Sequence, residues 1–127
     1  MEAPGGVAFD LDGSLAYYDH FRGVDHIGEP IPASVAKVKA LRKEGVDVRI
    51  FTARVSPITL AGRARDAKEA EDELRRVITA IYKWMVEHLG EPLPITCTKD
   101  YQMVVMYEDR AIQLIPNTGL RADGLDL

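Results

Sequence analysis

The chain has 127 residues, enough for one domain with a proper core and too few for two. Its 46% hydrophobic and 28% charged residues are ordinary for a globular protein and exclude disordered and fibrous classes, while a net charge of −4 argues against general binding to nucleic acid or membrane surfaces. Cys97 is the only cysteine, which excludes an internal disulfide and argues against a cysteine-built zinc site. No apolar run approaches the roughly 18 residues of a membrane span, and the N-terminus lacks a basic flank followed by a hydrophobic stretch, so a cytoplasmic location is expected.

Residues 1 to 6 carry little to pack and are expected to form a loose leader. Val7 to Asp10 predicts a first strand, which delivers Asp10 and Asp12 to its end before Gly13 turns the chain. Ser14 to Pro32 has no sustained period and reads as a flap over that end, with Tyr17, Tyr18, His20, Phe21 and His26 available either to line a pocket or to pack the flap. Val35, Val38 and Leu41 mark a helix that starts at Ala33 or Ser34 and stops at Gly45, and Val46 to Thr52 suits a second strand. Strand, helix, strand predicts a parallel pair with a right-handed crossover.

Arg54 to Arg65, with Pro57 and Gly62, reads as a loop. From Asp66 to His88 a long amphipathic helix is expected, its stripe formed by Leu74, Val77, Ile78, Ile81 and Met85, its charged start solvated and its end set by Gly90. Pro94 to Cys97 predicts a short third strand, with Lys99 and Asp100 at a turn or short helix after it. Met103 to Tyr107 is apolar throughout and reads as a central buried strand ending on Glu108, Asp109 and Arg110. Ala111 to Ile115 suggests a fifth strand, and residues 117 to 127 a loose tail.

In an open α/β sheet, ligands bind in the crevice outside the carboxyl ends of the strands. Parallel strands bring Asp10 with Asp12, Thr52, and Glu108 with Asp109 to that edge, with Lys99 close by. Four crowded carboxylates need a cation or raised pKa values, and Mg²⁺ is the natural counter-charge because it prefers oxygen ligands shared between carboxylates and substrate phosphate. A hydroxyl at Thr52, a cation at Lys99 and backbone N–H groups after Asp10 can neutralise phosphoryl oxygens.

These residues resemble the four motifs of the haloacid dehalogenase (HAD) superfamily of aspartate-nucleophile phosphatases. Asp10-Leu11-Asp12-Gly13-Ser14 is similar to the first motif, Ile50-Phe51-Thr52 to the second, Lys99 to the third and Glu108-Asp109 to the fourth, in the family's order and over most of the chain. The resemblance implies one Rossmann-like α/β domain over residues 1–127, a three-layer α/β/α sandwich with a mostly parallel central sheet and no substantial cap domain. It implies Mg²⁺-dependent hydrolysis of a phosphomonoester, with nucleotides or nucleic-acid ends as substrates by analogy. Asp10 would be the nucleophile and Asp12 the general acid and base. Thr52 and Lys99 would hold the phosphoryl group. Mg²⁺ would be bound by Asp10, the Asp12 carbonyl and Asp109, with Glu108 acting through water. Glu108 stands where many relatives have an aspartate, which implies altered metal affinity more than lost activity. Gly13, Ala53, Arg54 and Arg110 are candidates for contacting substrate, either a phosphorylated small molecule or a nucleotide.

Asp12 disfavours carbon dehalogenation, because an acid/base there serves a phosphate leaving group. The motif order also disfavours a phospho-accepting receiver domain. A phosphoryl-binding or phosphotransfer protein with weak or no hydrolysis is the alternative, and a homo-oligomer is left open.

Overall fold

The computed structural model describes residues 6–125, so the expected leader at residues 1–5 and the last two residues lie outside the described part. β1 (Gly6–Asp10), α1 (Pro32–Lys43), β2 (Val48–Phe51), a 3₁₀ turn (Ala53–Val55), α2 (Pro57–Arg63), α3 (Ala67–Leu89), β3 (Ile95–Thr96) and β4 (Met103–Tyr107) follow in chain order. Gly6 belongs to the first strand rather than to a leader.

The four strands form one sheet in the order β3-β2-β1-β4, and every pairing is parallel. This is the mostly parallel, Rossmann-like α/β architecture, with no cap domain among the described residues. The chain steps outward from β1 to β2 to β3 and then returns to the far side of β1. The strand order therefore reverses at β1, and the crevice of such a sheet opens at its carboxyl end.

Each element follows from local chemistry. Val7, Phe9, Val48 and Ile50 alternate along β1 and β2 into the core that α1 and α3 cover. Pro32 occupies the first turn of α1, where its missing N–H costs nothing, and Gly45 turns the chain out with a φ of +81°. Asp66 caps α3 by accepting from the Glu69 N–H at 2.8 Å, and Gly90 ends it in the left-handed conformation. The buried stripe of α3 is Val77, Ile81, Trp84, Met85 and Leu89. Ile78, expected in it, is exposed, because the stripe runs in i+4 steps through Val77, Ile81, Met85 and Leu89, with Trp84 three residues after Ile81. Burying five such side chains stabilises the fold by roughly 10 kcal/mol before ordering costs.

Several expectations are corrected. The segment from Arg54 to Arg65 is not a plain loop: Thr52 caps a 3₁₀ turn by accepting from the Arg54 N–H, and Pro57 starts α2. After β3 the chain takes a turn, one of the two forms expected at Lys99 and Asp100, closed by the Met103 N–H donating to Asp100 O at 3.1 Å. Phe51 pairs with both Asp10 and Thr96, whereas Met103 pairs with Gly6, so residues 97–102 run back across the sheet from its carboxyl edge to its amino edge. β4 is an edge strand and not a central one, and of its residues only Met103 is buried. Ala111 to Ile115 forms no fifth strand: Leu114 bridges Arg121 antiparallel in an exposed hairpin, so the expected tail is ordered through residue 125. No helix among the described residues is long and apolar enough to cross a membrane.

Candidate active site

The Asp10–Ser14 turn is built by its apolar residue. Leu11 is fully buried, and its N–H donates to Phe51 O at 3.1 Å, which extends the sheet ladder one step beyond β1. Its carbonyl accepts from Leu15 and Ala16, closing a tight turn that leaves Asp10 and Asp12 at the mouth of the crevice. Gly13 is required twice over. Its φ is +90°, and a methyl group there would overlap Asp109 Oδ2 and lie 2.9 Å from Asp109 Cγ.

That close approach seats Asp109 beside Asp10. One carboxylate oxygen from each of Asp10, Glu108 and Asp109 lies within 4.8 Å of the others, a spacing that a single cation can bridge. Burial, an Asp109 hydrogen bond and the charges of Glu108, Asp109 and Asp12 push the Asp10 carboxyl up to about 7. For Asp109, partial burial opposes ionisation, but its own backbone N–H, hydrogen bonds with Glu108 and Asp10 and the Arg110 charge prevail and lower its pKa. Of the pair, Asp10 is therefore the one that holds a proton more readily, and a divalent ion would compete with that proton.

Asp10, Asp12, Thr52, Ala53, Lys99, Glu108 and Arg110 all line one cleft of about 530 Å³. Thr52 is 2% exposed at the end of β2. Lys99, exposed, forms no ion pair among the described residues. The Arg110 N–H donates to Glu108 Oε1 at 2.9 Å, and Arg110 lines the same cleft.

Two of the expected substrate contacts already have partners within the chain. The Gly13 N–H donates to Ala16 O at 2.8 Å and the Leu11 N–H to Phe51 O, so neither is free for a phosphoryl oxygen. Gly13 serves the site by making room for Asp109. Arg54, expected to contact substrate, lines the same cleft, is only 7% exposed and grips Asp12, with Nε to Oδ2 at 2.7 Å and Nη2 to Oδ1 at 3.0 Å. Its Nη1 reaches the Gly23 and Val24 carbonyls at 3.5 and 3.4 Å. One guanidinium therefore ties Asp12 to the flap.

The flap is anchored at its base and along α3. Ala16 bridges Pro30, the Tyr17 N–H donates to Glu29 O at 2.8 Å, and Trp84 Nε1 donates to Gly28 O at 3.0 Å. Tyr18 and Phe21 line the cleft, whereas Tyr17, His20 and His26 are exposed and do not. Arg63 of α2 lies over the Phe21 ring at 4.9 Å and also lines the cleft. Sequence reasoning missed it, because nothing local distinguishes it from its arginine neighbours.

No family model matches the chain, and no curated protein does. Among solved structures, the chain is similar to the conserved protein coded by a locus of Bacteroides thetaiotaomicron, at 16% sequence identity and a TM-score of 0.50 over 91% of this chain and 84% of that one. That likeness shows the fold. The chemistry of the cleft rests on the side chains described above.

Proposed function

We propose that the chain is a Mg²⁺-dependent phosphoric monoester hydrolase of the haloacid dehalogenase type that works through an aspartyl-phosphate on Asp10. The observation that carries this reading is the cluster of Asp10, Glu108 and Asp109 at the ends of β1 and β4, with Asp10 and Glu108 lining the same cleft as Thr52 and Lys99. The donor set fits the ion: all-oxygen, compact, and including a carboxyl that burial and its carboxylate neighbours push up to about 7. Asp10, the Asp12 carbonyl and Asp109 would hold Mg²⁺, with Glu108 acting through water. Bound there, the ion would offset the negative charge shared by the carboxylates and the phosphoryl oxygens.

A phosphomonoester would place its phosphoryl group between Thr52, whose hydroxyl donates a hydrogen bond, and Lys99, whose charge offsets the equatorial oxygens. An Asp10 oxygen attacks phosphorus in line with the leaving oxygen, the P–O ester bond breaks, and Asp12 gives its proton to the departing alkoxide. Asp12 then takes a proton from water as that water attacks phosphorus, which releases phosphate and restores Asp10. Both Asp12 oxygens bond Arg54, so proton donation starts with one of those bonds opening. Arg54 keeps its contacts to the flap carbonyls meanwhile and acts as a positioning residue.

The same pair favours a second reading. An acid fully engaged by a guanidinium suits a protein that accepts or holds a phosphoryl group and hydrolyses it slowly. Turnover of para-nitrophenyl phosphate with Mg²⁺, lost in Asp10→Asn, supports the hydrolase. Stoichiometric phosphorylation of Asp10 without turnover supports the second reading, and turnover retained by Asp10→Asn contradicts both. Nucleotides and 3′-phosphorylated oligonucleotides are the substrate classes to test next.

A further inference from the structure

Lys99 lines the cleft from a segment that contains no helix, so its place depends on how the backbone on either side of it is held. Before it, the Thr98 N–H donates to Thr96 Oγ1 at 3.1 Å, and that hydroxyl donates to Thr98 O at 3.3 Å. After it, Asp100 turns the chain. Its Oδ1 accepts from the Gln102 N–H at 2.9 Å and its carbonyl from the Met103 N–H at 3.1 Å. The other carboxylate oxygen of Asp100 accepts from Arg49 Nη1. Arg49 lies inside β2 between Val48 and Ile50, which face the core, so alternation turns it to the opposite face of the sheet, beside Ala8 of β1. Its side chain is 18% exposed and is held from its own strand too, with Nη2 and Nε donating to Asp47 Oδ2 at 3.1 and 3.3 Å. One guanidinium therefore links the start of β2 to the turn that carries Lys99.

We propose that Arg49 is a positioning residue for the phosphoryl subsite: by holding Asp100 it fixes the backbone from which Lys99 reaches the cleft. The inference rests on the reading that Lys99 holds the phosphoryl group. Asp47 and Asp100 are each nearly half exposed, and ion pairs with partners so exposed add little to stability. Placement is another matter. A lysine has a long flexible stem, so its ammonium meets a bound oxyanion only as reliably as its backbone is held, and a displacement of about 1 Å can cost up to about 100-fold. Without Arg49 the turn keeps its bonds to the Thr96 hydroxyl and the Asp100 Oδ1 and loses its tie to the sheet. Removing this arginine should therefore move phosphoryl binding far more than it moves folding.

Calorimetric titration of the full chain, saturated with Mg²⁺, with orthovanadate as a mimic of the phosphoryl group in flight tests this. Lys99→Met is expected to raise the vanadate Kd about tenfold or more. Arg49→Met is expected to raise it about three- to tenfold, with circular dichroism unchanged and with Mg²⁺ affinity, measured without vanadate, within about twofold of wild type. Arg49→Lys, which keeps the charge without the fork, is expected to recover part of the loss. The double variant decides whether the effect passes through the lysine: once Lys99 is replaced by methionine, Arg49→Met should cost nothing further. Full additivity of the two losses, an Arg49→Met variant that binds vanadate as wild type does, or one that loses Mg²⁺ and vanadate alike, overturns the proposal. If Arg49→Met does not fold, Asp100→Asn breaks the same pair from its exposed side, with the same expectations alone and combined with Lys99→Met. A loss in Lys99→Met with none in Arg49→Met or Asp100→Asn overturns this proposal and leaves the phosphatase reading standing. Unchanged affinity in Lys99→Met, or a wild type that binds no vanadate, overturns both.

Discussion

Gly13→Ala tests the contact on which the acidic cluster depends. Two costs add at this position. Holding an alanine at φ +90° costs about 1–2 kcal/mol. The new methyl would also lie 2.9 Å from Asp109 Cγ and nearer still to Oδ2, and ordinary contact begins near 3.4 Å, so the Asp109 carboxyl must retreat by at least about 0.5 Å. Metal ligands tolerate displacements of roughly 0.2 Å, so Mg²⁺ affinity should fall by about 10–100-fold. Gly45 supplies the control, because its φ is +81° and nothing lies within 4 Å of a methyl placed there. Gly45→Ala carries a similar backbone cost, with Tm lower by roughly 4–8 °C, and should leave the metal site intact. Isothermal titration with Mg²⁺ at pH 8, alongside thermal melts of both variants, separates the effects. If the two variants lose stability alike and both bind Mg²⁺ as wild type does, the close approach of Gly13 to Asp109 does not organise the site.

Further outcomes follow from other parts of the site. Asp10 must ionise to bind a cation, so Mg²⁺ affinity should rise about tenfold per pH unit below 7 and level off above it, as measured by titration calorimetry. In the metal-free chain the raised pKa of Asp10 contributes stability that is complete below pH 3.8 and lost as pH rises through about 7. Asp10→Asn should therefore raise Tm over wild type at pH 8 and not at pH 4. Arg54→Ala leaves Asp12 and the Gly23 and Val24 carbonyls without their donor, so urea denaturation should show a loss of about 2–4 kcal/mol. Arg54→Lys, which cannot bind both Asp12 oxygens in a fork, should recover stability better than turnover. Trp84→Phe removes the donor to Gly28 O, and a loss of about 1 kcal/mol together with earlier proteolytic cutting between Tyr17 and Glu29 is expected.

Much of this arrangement is legible in the sequence because it depends on local patterning. The apolar run before Asp10, the stripe from Val77 to Met85 and the glycines after α1 and α3 each have a period or a cap that fixes an element. Once the strands are parallel, topology alone gathers Asp10, Thr52, Glu108 and Asp109 at one edge. The errors have a common cause. Met103 to Tyr107 reads as a buried central strand because an all-apolar strand is the mark of a sheet covered on both faces, and that mark does not tell a central strand from an edge. Ala111 to Ile115 reads as a strand for the same reason. Arg54 was legible only as a charge two residues after Thr52. Its grip on Asp12 spans 42 positions and depends on how the 3₁₀ turn meets the flap, which no local signal encodes.

Trapping the phosphoryl group addresses the central claim most directly. An aspartyl-phosphate is reduced by borohydride to homoserine, and peptide mass spectrometry locates the change. After incubation with para-nitrophenyl phosphate and Mg²⁺, homoserine is expected at position 10 and at no other aspartate, and chelating the metal should abolish it. Homoserine at position 12 or elsewhere, or labelling that does not depend on Mg²⁺, would contradict the account.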